Sequence, residues 1–375
     1  MVEHLYIHVP FCHRICPYCS FYKHTFGNIN QSELVQSTLN EISIRNDFYD
    51  FNIKTIYLGG GTPTALSRKN LESLLSGINQ IVNLKSLEEW GIEVNPSTCN
   101  LKKAQMIKDH GVTRTSLGIQ SWNESTLKKL GRDHSPSDAE KSFEILKSCE
   151  FNSLNIDLMF SIPGQSVASW EDDLNKTIKL GPNHISAYNL NYEEDTEFFE
   201  RLKKGEFYED PEKDGDHFSL AMETLIGSGY EHYEISNFSR NKFISKHNTN
   251  YWNRTHYLGI GPSAHSFNGF SRQWNINNNN LYSKYIMENT PHFSMELLSE
   301  KDIVNEYILT KIRGNTGINL DYLEMKMSRS DFIKLNKEIS KLIKINLMCQ
   351  IDNNFKLTLS GMLMADKITS DLFII

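Results

Sequence analysis

No run of eighteen apolar residues occurs in the chain, so the sequence offers no membrane-spanning helix. The opening residues Met1-Val2-Glu3-His4-Leu5 lack the basic region and apolar stretch of a secretory signal, and the protein is expected to be cytoplasmic. Positive charge is in deficit, with 39 Lys and Arg against 46 Asp and Glu and a net charge of −7. That balance argues against nucleic acid or an anionic membrane surface as a partner, because phosphates meet no net attraction. Cysteine is scarce as well. Six in 375 residues are too few for a disulfide scaffold. Cys99, Cys149 and Cys349 are scattered and read as structural thiols. Cys12, Cys16 and Cys19 fall together and read as metal ligands in a reducing compartment. The composition that remains, 39% hydrophobic and 23% charged, is that of a soluble protein with ample core. The length suggests two domains, or one large domain with an appendage.

Short apolar runs alternate with helix-length segments through the first two-thirds of the chain. Leu5 to Val9, Thr55 to Leu58, Gly91 to Val94, Thr115 to Ile119, Leu154 to Met159 and His184 to Tyr188 are rich in branched or aromatic residues and end at turn formers. Between them, Ser32 to Arg45 and Ser67 to Ile81 carry apolar residues on one side, and Ser135-Pro136 opens a helix with Pro just inside a capping Ser. Six strand–helix units predict an α/β protein with a parallel sheet. Six is short of eight, so the expected form is an open, partial (β/α)6 barrel. A Rossmann fold would require Gly-x-Gly-x-x-Gly after the first strand, and that motif is absent. Beyond about residue 230 the rhythm changes. Tyr230 to Ile235 alternates like a strand, and the Asn-rich run from Asn275 to Asn280 reads as a solvated loop. The stretch from Ser294 reads as three helices, a strand over Phe355 to Leu359 and a last helix, a small helical or winged-helix-like appendage.

The chemistry concentrates directly after the first strand, in Cys12-His13-Arg14-Ile15-Cys16-Pro17-Tyr18-Cys19. Three thiolates spaced C-x3-C-x2-C can hold three irons of a [4Fe–4S] cluster and leave the fourth open. Zinc would ask for a fourth ligand, which His13 or His8 could supply.

This loop resembles that of the radical S-adenosylmethionine (SAM) superfamily. Gly59-Gly60-Gly61-Thr62-Pro63-Thr64, Glu93-Val94-Asn95-Pro96, Gly118-Ile119-Gln120-Ser121, and Asp157-Leu158-Met159 with Ile162-Pro163-Gly164 are similar to motifs of its HemN/HemW branch, in order and at strand ends. The resemblance implies that SAM binds the open iron and is cleaved to a 5′-deoxyadenosyl radical. It also implies that Tyr6, Gly60, Gly61, Thr62, Glu93, Gln120, Arg132 and Asp157 line the SAM site. The chemistry of those residues suits the role: the glycines let the backbone approach, carboxylates accept from an ammonium or from ribose hydroxyls, and Arg132 can pair with a carboxylate. The expected organisation is a radical SAM core over 1–235, a connecting segment over 236–290, and a C-terminal domain over 291–375.

Two features separate the branches. The oxygen-independent coproporphyrinogen III oxidases carry a cysteine two residues after the third, where this chain has Phe21. They also have an N-terminal arm over the substrate, whereas only eleven residues precede Cys12 here. His247-Asn248-Thr249-Asn250-Tyr251-Trp252 matches the H-N-x-x-Y-W motif that the haem-chaperone branch associates with haem. An imidazole can ligate haem iron, and Tyr251 and Trp252 offer apolar faces. His247 is therefore a candidate haem residue, and His265, in the glycine-rich stretch from Tyr257 to Phe267, is a second. The expected function is a haem chaperone carrying a [4Fe–4S] cluster and SAM, which binds haem and passes it to an acceptor protein. The alternative is radical decarboxylation of coproporphyrinogen III. A homodimer is compatible with the sequence.

Overall fold

The computed structural model describes residues 1–27 and 30–374. Six strands, β1 (Val2–Val9), β2 (Phe51–Gly60), β3 (Glu89–Val94), β4 (Arg114–Gln120), β5 (Ser153–Phe160) and β6 (His184–Asn189), pair in chain order and in parallel. The crossovers are made by α1 (Gln31–Phe48), α2 (Arg68–Ile81), α3 (Leu101–Asp109), α4 (Glu124–Lys129) with α5 (Pro136–Ser148), and α6 (Val167–Leu180). Each of these helices begins on an Asn or Ser whose side chain accepts from the first turn, so the otherwise orphaned amides are satisfied by local sequence. At Ser135 the cap is reciprocal with Asp138, and Pro136 follows it as expected.

The alternation along each strand divides two environments. Leu5, Ile7, Ile56, Leu58, Trp90, Ile92, Leu117, Ile119, Ile156, Leu158 and Ile185 are buried in the main hydrophobic core. The opposite face is polar. Register sets Tyr6 beside Tyr57, Glu93 beside Ser116, Gly118 beside Asp157, and Asp157 beside Ser186.

The chain continues through α7 (Glu197–Lys203) and α8 (Pro211–Gly227) to β7 (Glu231–Glu234) and β8 (Asn237–Ser239), which close the β6 edge in antiparallel fashion. After α9 (Lys246–Trp252), β9 (Leu258–Ile260) adds in parallel beside β1, completing a nine-stranded sheet in the order β7-β8-β6-β5-β4-β3-β2-β1-β9. The segment 236–290 is thus woven into the core sheet and does not merely connect two units. β10 (His265–Phe267), β11 (Ser271–Asn275) and β12 (Phe293–Leu297) form a small antiparallel sheet, with α10 (Asn279–Met287) between its last two strands.

The Asn-rich run is not a solvated loop. Asn275 ends β11 and is buried, Asn278 caps α10, and buried Asn279 begins it. The reason is Glu41 on α1, a buried carboxylate that accepts from Asn275 Nδ2 at 2.9 Å, the Gly261 amide at 2.9 Å and the Tyr282 hydroxyl at 2.7 Å. Beyond α11 (Glu300–Arg313), helices and β13 (Ile318–Asn319), β14 (Met348–Ile351) and β15 (Asn354–Leu357) enclose a separate cluster that includes Val304, Ile308, Leu335, Ile339, Leu357 and Ile368. This is the expected helical, winged-helix-like appendage.

Candidate functional site

The cysteine loop is clasped from four sides. Main-chain bonds from Cys12 N to His24 O (2.9 Å) and from His24 N to Pro10 O (2.7 Å) turn it back on itself. The glycine turn after β2 extends the ladder: Gly61 N donates to Val9 O at 2.9 Å and Thr62 N to Phe11 O at 2.7 Å. A Cβ on Gly61 would stand 2.7 Å from Phe11 O, so the close approach requires glycine there. Thr62 Oγ1 lies 3.7 Å from Cys12 Sγ. From the α4–α5 connection, Gly131 packs on Pro17, and Arg132 places Nη1 3.6 Å from Cys16 Sγ while Nη2 donates to Gly118 O at 2.6 Å. From α7, Phe198 N donates to Pro17 O at 3.0 Å.

Beside this loop the polar face of the sheet presents the remaining candidates. Tyr6 donates or accepts at His8 Nδ1 (3.0 Å), and its ring stacks on Tyr57 at 6.5 Å. The Tyr57 hydroxyl donates to Glu93 Oε1 at 3.3 Å. Asp157 accepts from Ser116 Oγ at 2.8 Å and from Asn155 Nδ2 at 2.7 Å. Burial, with the neighbouring Asp157 carboxyl as a second cause, pushes the Glu93 carboxyl up to about 8. Burial also raises Asp157. Gln120 sits at a β-bulge with φ +72°, and the missing side chain at Gly118 leaves room for both its amide and the Arg132 guanidinium. Gly60 has φ +106°, and a Cβ there would meet the His8 ring at 2.4 Å, so this glycine answers to the protein's own histidine.

The radical SAM superfamily profile matches residues 6–177. The heme chaperone HemW of Lactococcus lactis is 34% identical over 345 residues, covering 92% of this chain and 90% of the relative. The heme chaperone HemW of Bacillus subtilis is 33% identical over 332 residues, covering 87% of each. The chain belongs to the HemW family of radical SAM proteins. Among solved structures, the coproporphyrinogen III oxidase HemN of Escherichia coli superposes with a TM-score of 0.85 over 99% of this chain and 90% of that one, at 22% identity, which establishes a shared fold.

Membership of the radical SAM superfamily implies a [4Fe–4S] cluster and SAM, and the residues here fit both. Among the described residues no three His, Cys, Asp or Glu side chains converge closely enough for a single metal ion. The three thiols of one loop, spaced C-x3-C-x2-C, suit three irons of a cluster. The histidine readings for a fourth zinc ligand fare poorly: His8 has Nδ1 on Tyr6 and Nε2 on the Tyr22 carbonyl at 2.7 Å, and His13 is exposed, with its ring edge on Phe26. The fit to SAM lies in what the polar face lacks. Glu93 and Asp157 have no ion pair within 4 Å among the described residues, and the buried Nε of Arg132 has no partner. An ammonium, hydroxyls and a carboxylate would complement these groups.

The HemW-type H-N-x-x-Y-W segment forms α9, and the structure does not expose its histidine. His247 is 1% exposed. Its Nδ1 pairs with Thr55 Oγ1 at 2.8 Å and its Nε2 with the Tyr251 hydroxyl at 3.0 Å, so neither nitrogen has a lone pair free for iron. Its amide donates to Glu89 Oε1 at 2.9 Å. As placed, His247 is an internal residue of the barrel with both ring nitrogens engaged. His265 differs. It is exposed, its ring stacks on Trp274 at 5.9 Å, and burial followed by Arg272 lowers its pKa. That direction favours the neutral imidazole, the form that ligates iron. Phe21 is exposed beside the cysteine loop.

Sequence reasoning missed Tyr57, Ser116 and Asn155 as site residues, and weighed His8 only as a zinc ligand. Each of the three lies two residues from a recognised position on the same strand face, so period-two counting from Gly59, Gly118 and Asp157 would have found them.

Proposed function

We propose that this protein is a haem chaperone that carries a [4Fe–4S] cluster and SAM at the mouth of the partial barrel, binds haem, and passes it to an acceptor protein. The carrying observation is identity to heme chaperones of the HemW family over about nine-tenths of both chains. Cys12, Cys16 and Cys19 would hold three irons and leave the fourth for SAM. When bound, this pair supplies one-electron reductive chemistry. Tyr6, Gly60, Gly61, Thr62, Glu93, Gln120, Arg132 and Asp157 would hold SAM, with Arg132 bridging the cluster loop and the β4 end. For haem, the accessible imidazole of His265 against Trp274 is favoured over His247, whose nitrogens are both engaged.

The test is anaerobic reconstitution followed by haem titration and transfer to apomyoglobin. Saturable binding near one haem per chain, with recovery of myoglobin absorbance, is expected. No saturable binding, or repeated turnover of coproporphyrinogen III to protoporphyrinogen IX, would replace this reading with the oxidase.

A further inference from the structure

We propose that His247 is a positioning residue of the SAM site, acting through the Tyr57 ring on Glu93, and that α9 forms the floor of that site. The proposal rests on the reading of Glu93 as a SAM-contacting residue.

Three observations carry it. First, α9 is fastened to the inner face of the sheet. The amides of Lys246 and His247 both donate to the Glu89 carboxylate, at 3.1 and 2.9 Å, and Asn250 Nδ2 reaches His4 Nδ1 at 2.8 Å. Second, the His247 ring stacks on Tyr57 with centroids 5.3 Å apart and planes at 17°, while Tyr6 stacks on Tyr57 at 6.5 Å and 15°. Thr55, which holds His247 Nδ1, precedes Tyr57 by two residues on β2, so the imidazole lies on the side of Tyr57 away from the cysteine loop. Third, Tyr57 is wedged. A Cβ on Gly91 would lie 2.6 Å from its ring, and one on Gly59 would lie 2.9 Å from the ring and 2.7 Å from Glu93 Oε1. Two strand glycines thus make room for a ring whose tilt is fixed from below by His247 and whose hydroxyl holds Glu93. Removing the imidazole leaves a void under Tyr57 and frees the ring to drop. The Glu93 carboxyl then loses both its donor and its fixed position.

The experiment uses the full chain with reconstituted cluster and compares Glu93→Gln, Tyr57→Phe, His247→Ala and His247→Phe. SAM affinity, the electron paramagnetic resonance signal of the reduced cluster with and without SAM, and the Soret band on haem titration are measured for each. Glu93→Gln, Tyr57→Phe and His247→Ala are expected to weaken SAM by roughly tenfold, the worth of one hydrogen bond to a charged group. His247→Phe keeps a flat ring under Tyr57 and should recover most of the affinity. Haem stoichiometry and Soret position should match the parent in His247→Phe. Parental SAM affinity in His247→Ala alongside a weakened Glu93→Gln would overturn the proposal while sparing the SAM site. Parental affinity in Glu93→Gln would overturn the SAM-site reading and the proposal with it. If His247→Ala does not fold, His247→Phe decides: near-parental SAM affinity with an unchanged Soret band supports positioning, and a lost or shifted Soret band overturns it.

Discussion

Replacing Glu93 by Gln should stabilise the ligand-free protein relative to the parent by an amount that grows from pH 5.5 to pH 8.5. The Glu93 carboxyl titrates at about 8 in the folded chain against an ordinary value of 4.5. Below about pH 4.5 it is protonated in both the folded and unfolded chains and contributes no pH dependence. Between 4.5 and about 8 the unfolded chain ionises while the folded chain keeps its proton, so stability falls as pH rises. Above about 8 both forms are ionised and the penalty is constant. At ~1.4 kcal/mol per pH unit the full interval corresponds to at most ~5 kcal/mol. The side chain keeps intermediate solvent exposure, and contact with water reduces this to a few kcal/mol. Glutamine is neutral throughout, so the advantage of the variant should grow across that window. The assay is equilibrium urea unfolding of parent and variant, in reducing buffer without cluster, at pH 5.5, 7 and 8.5. A difference independent of pH would mean packing and not protonation. A variant less stable than the parent at pH 8.5 would refute the account of a carboxylate held at a cost for a ligand. The same logic makes SAM affinity of the parent rise with pH toward 8, as the carboxyl becomes able to accept from an ammonium or hydroxyls.

Cys16→Ser should abolish the reconstituted cluster absorbance, whereas Cys99→Ser, Cys149→Ser and Cys349→Ser should retain it; equal loss from any of these three would require a fourth protein ligand. Glu41→Gln presents an amide to the donors of Gly261 and Asn275, and should cost on the order of 3–5 kcal/mol in urea unfolding, as breaking a buried charged network does; a loss under ~1 kcal/mol would show that the carboxylate is dispensable. Gly60→Ala should lower the melting temperature and weaken SAM together, since the Cβ strikes the His8 ring and φ is +106°; parental melting behaviour would refute the tight packing.

Much of this fold could be read before the structure, because its governing signals are local. All six parallel strands fall where branched residues meet turn formers, and the capping serines mark helix starts to within a residue or two. The three cysteines and the glycine turn were equally legible, since their spacing is itself the constraint. What escaped were residues whose reasons are distant in sequence. Glu41 looks like an exposed helix charge until β11 and α10 bring Asn275 and Tyr282 to it across more than two hundred residues. Asn275 and Asn279 looked solvated for the same reason.

His247 shows the sharper form of the difficulty. A motif of His, Asn, Tyr and Trp after the last barrel unit has the composition of a ligand site, and nothing local distinguishes a ring that faces a ligand from one that faces a strand. The strands hold the discriminating information. Gly59 and Gly91 are adjacent to Tyr57 in the sheet, and two glycines flanking an inward aromatic mean that the ring needs space on both sides. Thr55, Glu89 and His4 are buried polar groups on the same inward face; His4 pairs with Thr55 at 3.0 Å and Glu89 with Arg114 at 3.7 Å, and their remaining hydrogen-bonding capacity calls for a polar plug. Helix α9 supplies it through Ser245, the amides of 246 and 247, and the His247 ring. The motif therefore satisfies demands set by the first two hundred residues, and a plug that also supports Tyr57 links the integrity of the floor to the geometry at the mouth.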